Sequence, residues 1–180
     1  MKIMDIFYNK VNTIIRKHLD SIDSKNLPFD ILDNKQTIDI KLQMLKLRQK
    51  EMKIGKIWQE ILGSYGSFKN LGVKHYTGLD IISEELKIII ELKNRTNTDN
   101  SSSKKYNFMK LAKFKKDNPE YRCIYGCINC KNEKETLNGK SYTFNFQNVE
   151  LEYICGYKLL DLILEENTIN IISYIKNQLS

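Results

Sequence analysis

The chain has 180 residues, of which 41% are hydrophobic and 28% are charged, with a formal net charge of +7 at pH 7. This length allows a folded domain with a core of its own, and no apolar run is long enough to span a bilayer. We therefore expect no membrane-spanning helix. The N-terminus is too charged for a signal peptide, so we expect a cytoplasmic protein with no membrane partner. The net charge of +7 suggests a polyanionic partner.

The first part of the chain predicts helices. Apolar residues at helical spacing over residues 3–22 predict an amphipathic helix, which residues 26–29 interrupt. A second helix is predicted to begin near residue 33 or 37, and residues 55–63 predict a third, which ends at Gly63. A turn-rich segment at 64–72 then leads to the next element.

Residues 41–56 are strongly basic, with six Lys and Arg side chains against Glu51 alone. This charge is consistent with a solvated helix face or with a surface that contacts phosphates. The sequence leaves both alternatives open.

Two short Ile-rich runs, 79–82 and 86–92, are separated by polar residues and predict a β-hairpin. With the turn centred after residue 85, Asp80 lies directly opposite Glu91, and opposite residues of an antiparallel pair point to the same face. Strand alternation adds Lys93 to that face. The other face is predicted to be core, formed by Leu79, Ile81, Ile88, Ile90 and Leu92.

Two facing carboxylates repel each other unless a cation lies between them, and Mg²⁺ uses one or two carboxylates beside a phosphate substrate. A lysine next to such a metal can orient a water or offset charge that develops on the phosphate. The alternative is an exposed strand edge with a Glu91–Lys93 ion pair and an unrelated Asp80.

A polar segment follows Lys93. A flexible loop is one interpretation, but its position beside the hairpin favours DNA contacts, because Asn and Arg side chains bond purine edges and hydroxyls bond phosphates. Ser101–Ser103 are also predicted to cap the next helix. The candidate DNA-binding residues are Asn94, Arg95, Thr96, Asn97, Thr98, Asn100, Ser101, Ser102, Ser103, Lys104 and Lys105.

The next predicted helix, 104–117, places its lysines outside. Between Lys93 and Lys116 there are eight basic residues and one acid, Asp99. Such a surface should bind DNA tightly at low salt, because each neutralised phosphate releases counterions. The outward lysines are Lys104, Lys105, Lys110, Lys113, Lys115 and Lys116.

The last part of the chain predicts a buried strand, a hairpin connection, two strands and two amphipathic helices. Their ranges are 121–129, 133–139, 141–146, 149–154, 156–165 and 169–179. Cys127 and Cys130 have zinc-type spacing without a second matching pair, so we interpret the cysteines as structural thiols without disulfides.

The run from Thr77 through Asp80, Glu91 and Lys93 to the polar segment resembles the PD-(D/E)xK nuclease superfamily. It is most similar to type II restriction endonucleases that cut GGNCC-type sites. The resemblance implies that Asp80 and Glu91 are metal ligands, that Lys93 is the catalytic lysine, and that Glu60 points toward the metal. It implies Mg²⁺ as cofactor, with Mn²⁺ able to substitute.

The predicted fold class is α/β (α+β), with a restriction-endonuclease-like core in which helices flank both faces of a central mixed sheet. Residues 1–180 are predicted to form a single nuclease domain. It comprises an N-terminal helical part at 1–53, a catalytic core at 54–130, and C-terminal strands and helices at 131–180.

The predicted function is Mg²⁺-dependent, sequence-specific cleavage of double-stranded DNA by a type II restriction enzyme. A palindromic target implies a homodimer, and a companion DNA methyltransferase is a further expected partner. The alternatives are a structure-specific resolvase or repair nuclease, and a DNA-binding protein without catalysis.

Overall fold

A computed structural model of the protein describes residues 3–19, 35–96 and 100–179. The chain divides into two compact units, Met1–Trp58 and Gln59–Ser180. None of the helices in these described ranges has the length and apolar character needed to cross a membrane.

The first unit is helical. Helix α1 (Ile3–Leu19) buries Phe7, Val11, Ile14 and Ile15, which confirms the predicted amphipathic helix. Helix α2 (Lys35–Leu62) is one continuous helix of 28 residues. The prediction of two separate helices here was wrong, because the helix continues through Gly55 despite the low helix propensity of glycine. The predicted interruption at 26–29 lies outside the described residues.

The second unit is built on a six-stranded sheet with the order β1-β2-β3-β4-β6-β5. The strands are β1 (Lys69–Asn70), β2 (Ile81–Ser83), β3 (Ile88–Arg95), β4 (Arg122–Asn129), β5 (Lys140–Phe146) and β6 (Val149–Cys155). Strands β3, β4 and β6 are parallel, and the outer pairs are antiparallel. The predicted mixed sheet is confirmed.

Helices cover both faces of this sheet, as predicted. They are α3 (Ser101–Asp117), α4 (Glu133–Asn138), α5 (Tyr157–Leu164), a 3₁₀ turn (Glu165–Asn167) and α6 (Thr168–Leu179). On one face, Leu111 of α3 packs in a cluster with Ile89 and Tyr125. On the other, a side chain at Gly126 would meet Ile90 and Leu159 at 3.0 Å, so α5 lies close to the sheet there.

Two helix starts differ from the prediction. Asn100, not a serine, caps α3, because its side chain accepts the Ser103 N–H at 2.8 Å. The segment 133–139 forms α4 where a hairpin connection was predicted. Asn132 accepts the Glu135 N–H at 2.9 Å, and this cap stabilises the short helix.

The hairpin has the predicted register, with Ile81 paired to Ile90 and Ile82 to Ile89. Continuing this register by one residue places Asp80 opposite Glu91. The predicted core residues of the hairpin are all buried, which confirms that prediction: Leu79, Ile81, Ile88, Ile90 and Leu92. Apolar side chains are also buried on the face that carries Asp80 and Glu91, because helices cover both faces of the sheet. Ile82, Ile89 and Leu79 belong to the layer under α3.

Candidate active site

Asp80 enters the site from the segment before β2. Thr77 Oγ1 accepts the Leu79 N–H at 3.2 Å and is 2.8 Å from His75 Nδ1, which shapes this approach. The Asp80 Oδ2 atom accepts the Leu92 N–H at 2.7 Å, so the carboxylate is attached to the neighbouring strand. Burial, followed by the negative charge of Glu91, raises the pKa of Asp80 to about 6.

Glu91 is 3% exposed and lies between two lysines. Its Oε1 atom is 2.9 Å from Lys93 Nζ, and its Oε2 atom is 2.8 Å from Lys110 Nζ. Lys110 also donates to the Gly78 carbonyl oxygen at 2.6 Å. The structure thus brings Asp80, Glu91 and Lys93 together as the sequence predicted, and adds a second ammonium group.

Lys110 was predicted to lie on the exposed face of α3. This was wrong, because its side chain is only 15% exposed. Leu111, the next residue, and Asn107, three residues earlier, are both buried. Position 110 therefore lies at the edge of the buried helix face. That helical position is the signal that could have identified it. The long lysine stem then carries the charge from α3 to the hairpin.

The candidate DNA-binding residues lie around the exit of β3 and the start of α3. The side chain of Asn94 accepts from Asn129 Nδ2 at 3.0 Å, and the Thr96 N–H donates to the Asn129 carbonyl at 3.3 Å. Asn97 and Thr98 lie outside the described residues. The exposed candidates are Arg95, Thr96, Asn100, Ser101, Ser102, Ser103, Lys104 and Lys105.

Comparison with protein families identifies the chain. The model of the Eco47II restriction endonuclease family matches residues 2–176, nearly the whole length. The chain belongs to this family. It is therefore a restriction endonuclease, a site-specific deoxyribonuclease whose substrate is DNA, as the sequence predicted. A comparison with individual curated proteins found no match.

The carboxylates of this Eco47II-family enzyme fit the chemistry of a Mg²⁺ site. Mg²⁺ is usually held by one or two carboxylates together with substrate phosphate and water, not by a cage of protein ligands. Asp80 and Glu91 supply oxygen atoms of this kind, and a cation would relieve the repulsion that contributes to the raised Asp80 pKa.

Among the described residues, we find no group of three or more His, Cys, Asp or Glu side chains that could hold a metal. Glu60, half-buried near the end of α2, is therefore not part of such a group with Asp80 and Glu91. A metal at the two carboxylates would take its remaining ligands from the substrate and from water.

Lys110 and Lys115 of α3 make internal polar contacts in this Eco47II-family enzyme. Lys110 pairs with Glu91, and Lys115 donates to the carbonyl oxygens of Pro119 and Tyr121 at 2.7 and 2.6 Å. Lys115 thereby ties the end of α3 to the start of β4. The prediction that it lies outside was wrong, since the contact leaves it half-buried.

The cysteines are free thiols in this structure. Cys127 on β4 lies opposite Cys155 on β6 in the strand register. Cys130 Sγ lies 2.7 Å from Cys155 Sγ. Burial raises the pKa of the Cys127 and Cys130 thiols to about 12. Thiols with so high a pKa are weak nucleophiles and poor metal ligands at neutral pH, in keeping with a packing role.

Proposed function

We propose that this restriction endonuclease is a cytoplasmic, Mg²⁺-dependent type II enzyme that hydrolyses both strands of a short GGNCC-type site. The observation that carries the proposal is the meeting of Asp80, Glu91 and two lysines at one edge of the hairpin. Carboxylates supply the ligands of a hard cation, and ammonium groups stabilise charge on a phosphate.

Asp80 and Glu91 would hold the metal, with Mn²⁺ as an acceptable substitute. When bound, Mg²⁺ supplies a Lewis acid that polarises the phosphate and lowers the pKa of a bound water. In the reaction, water attacks the scissile phosphorus in line, the 3′ oxygen leaves, and a phosphodiester bond is replaced by a phosphate monoester and a hydroxyl.

Lys93 would orient the attacking water or offset the negative charge that develops on the phosphate. Its ammonium group lies 2.9 Å from Glu91 Oε1, so the carboxylate directs it before substrate binds. Lys110 is placed in the same way, with the Gly78 carbonyl as a second anchor. Donors held in position before the reaction need little reorganisation in the transition state.

A palindromic site has two equivalent scissile bonds, so we propose a homodimer with one site for each strand. A companion DNA methyltransferase would protect the host's own sites. Residues 94–105 would contact the DNA, and Glu60 would act from the end of α2 through the substrate or water, since it forms no metal group with the two carboxylates.

Digestion of phage DNA with Mg²⁺ or with EDTA, followed by sequencing of the ends, tests this function. Discrete fragments with one common end sequence should form only with Mg²⁺. Lys93→Ala should cut at least about 100-fold more slowly while still binding DNA, whereas the exposed control Lys176→Ala should cut normally. Cutting of branched DNA alone, or undiminished cutting in EDTA, would contradict the proposal.

A further inference from the structure

A groove with a volume of about 820 Å³ lies between residues 75–78 and α3. Its described lining includes lysines, tyrosines and a methionine. Two of the tyrosines are strongly exposed, Tyr76 by 89% and Tyr106 by 63%. The groove therefore has aromatic walls open to solvent along a basic helix.

The groove is continuous with the candidate active site. Gly78 and Lys110 both line it, and Lys110 is the residue that donates to Glu91 at 2.8 Å. A chain molecule that occupies the groove would consequently pass beside the carboxylates.

The charge of the groove favours a polyanion. Lys110, Lys113 and Lys116 line it, and Asp117 is the single acid among its described lining residues. Their spacing of three residues keeps these lysines on one side of α3. Six residues of helix rise by about 9 Å, roughly the axial length of two to three nucleotides of one DNA strand.

We propose that this groove binds the sugar–phosphate backbone of one DNA strand next to the cleaved phosphate. Lys113 and Lys116 pair with successive phosphates, and the hydroxyls of Tyr76 and Tyr106 donate to phosphate oxygens. The proposal rests on the proposed function, since it extends the substrate from the carboxylates onto α3. The α3 residues of this surface, 106–117, follow the predicted DNA contacts at 94–105 in the sequence.

The test compares two double variants that lose the same charge. Lys113→Ala/Lys116→Ala removes two groove lysines, and the control Lys134→Ala/Lys176→Ala removes two exposed lysines outside the groove. Binding to mixed-sequence duplex DNA is measured in EDTA over a range of salt, so neither metal nor cleavage is required. Thermal melts confirm that both variants fold.

The groove variant should bind more weakly. The magnitude of its slope of log affinity against log salt should be smaller than that of the control by about 2. Tyr76→Ala should weaken binding without changing the slope, because tyrosine carries no charge. Equal slopes for the two double variants would overturn the proposal. A change in the oligomeric state of the DNA-free groove variant would also overturn it, in favour of a contact between protein copies.

Digestion by the wild-type protein is run in parallel and separates the two proposals. If the wild type cuts DNA and the slopes are equal, the groove proposal alone fails. If the slopes differ as expected and the wild type does not cut, the proposed function fails and the groove remains a DNA-binding site.

Discussion

Lys110 Nζ lies 2.8 Å from Glu91 Oε2, although the two residues are 19 positions apart in the chain. With Lys93 on the other carboxylate oxygen, both oxygens of Glu91 already face a cation. A metal ion that binds Glu91 has to share this carboxylate with the lysines or displace one of them.

Lys110→Ala should therefore tighten Mg²⁺ binding to the DNA-free protein. Two unit charges about 4 Å apart interact by about 1 kcal/mol in water, so at this largely buried pair the gain in affinity should be at least roughly fivefold. Calorimetric titration with Mg²⁺ measures this, and Lys113→Ala, on an exposed position of the same helix, is the control. Weaker Mg²⁺ binding by Lys110→Ala would show that the lysine supports the metal site.

The raised pKa of Asp80 predicts a pH-dependent effect on stability. Its folded-state pKa of about 6 lies above the usual 3.8, so the folded protein binds the proton more tightly than the unfolded chain does. The free energy of unfolding contributed by Asp80 therefore falls as the pH rises from about 4 to about 6, and the loss is complete above that range.

Asp80→Asn should consequently raise the free energy of unfolding by about 1–3 kcal/mol at pH 7.5, while abolishing cleavage. The gain should shrink to nearly nothing at about pH 3, where the wild-type carboxyl is mostly protonated in both states. Urea denaturation at the two pH values measures it, with the exposed Asp161→Asn as control. A gain that is independent of pH would refute the explanation.

Gly78 offers a matched test of the Lys110 position. Its φ is +64°, and a methyl group there would lie 3.2 Å from Lys110 Cδ. Gly72 has a φ of +73° with open space around it. Alanine at either position should cost about 1–2 kcal/mol of stability through its left-handed backbone, but only Gly78→Ala should also slow cleavage. Equal cleavage rates for the two variants would argue against a role for this lysine.

Asn100→Ala should lower the free energy of unfolding by about 1 kcal/mol, because α3 loses the side chain that accepts the Ser103 N–H. Asn100→Ser keeps a capping oxygen and should recover most of that loss in urea denaturation. If serine is as harmful as alanine, the asparagine contributes through some contact other than the cap.

The hairpin register could be predicted because the Ile-rich runs and the polar turn leave one pairing that aligns Asp80 with Glu91. Helix α4 also had a readable signal, since Asn132 and Glu135 have the spacing of a capping box. The sequence gives no sign that α2 continues through Gly55, because glycine has a low helix propensity.

The Lys110–Glu91 contact depends on how α3 is rotated where it packs on the sheet. Residue spacing within α3 shows that position 110 borders the buried face, but it does not show which strand residue that edge meets. The six lysines of α3 look alike in the sequence, and packing separates Lys110 and Lys115 from their exposed neighbours.

Asn129 fastens the exit of β3 by bonding both the main-chain and side-chain oxygens of Asn94 at 3.0 Å. The start of α3 is held in the same way by the side chain of Asn100. If the exposed residues Arg95 and Thr96 contact DNA as proposed, substitutions at these two positions should alter target binding while the ion pairs of Glu91 stay in place.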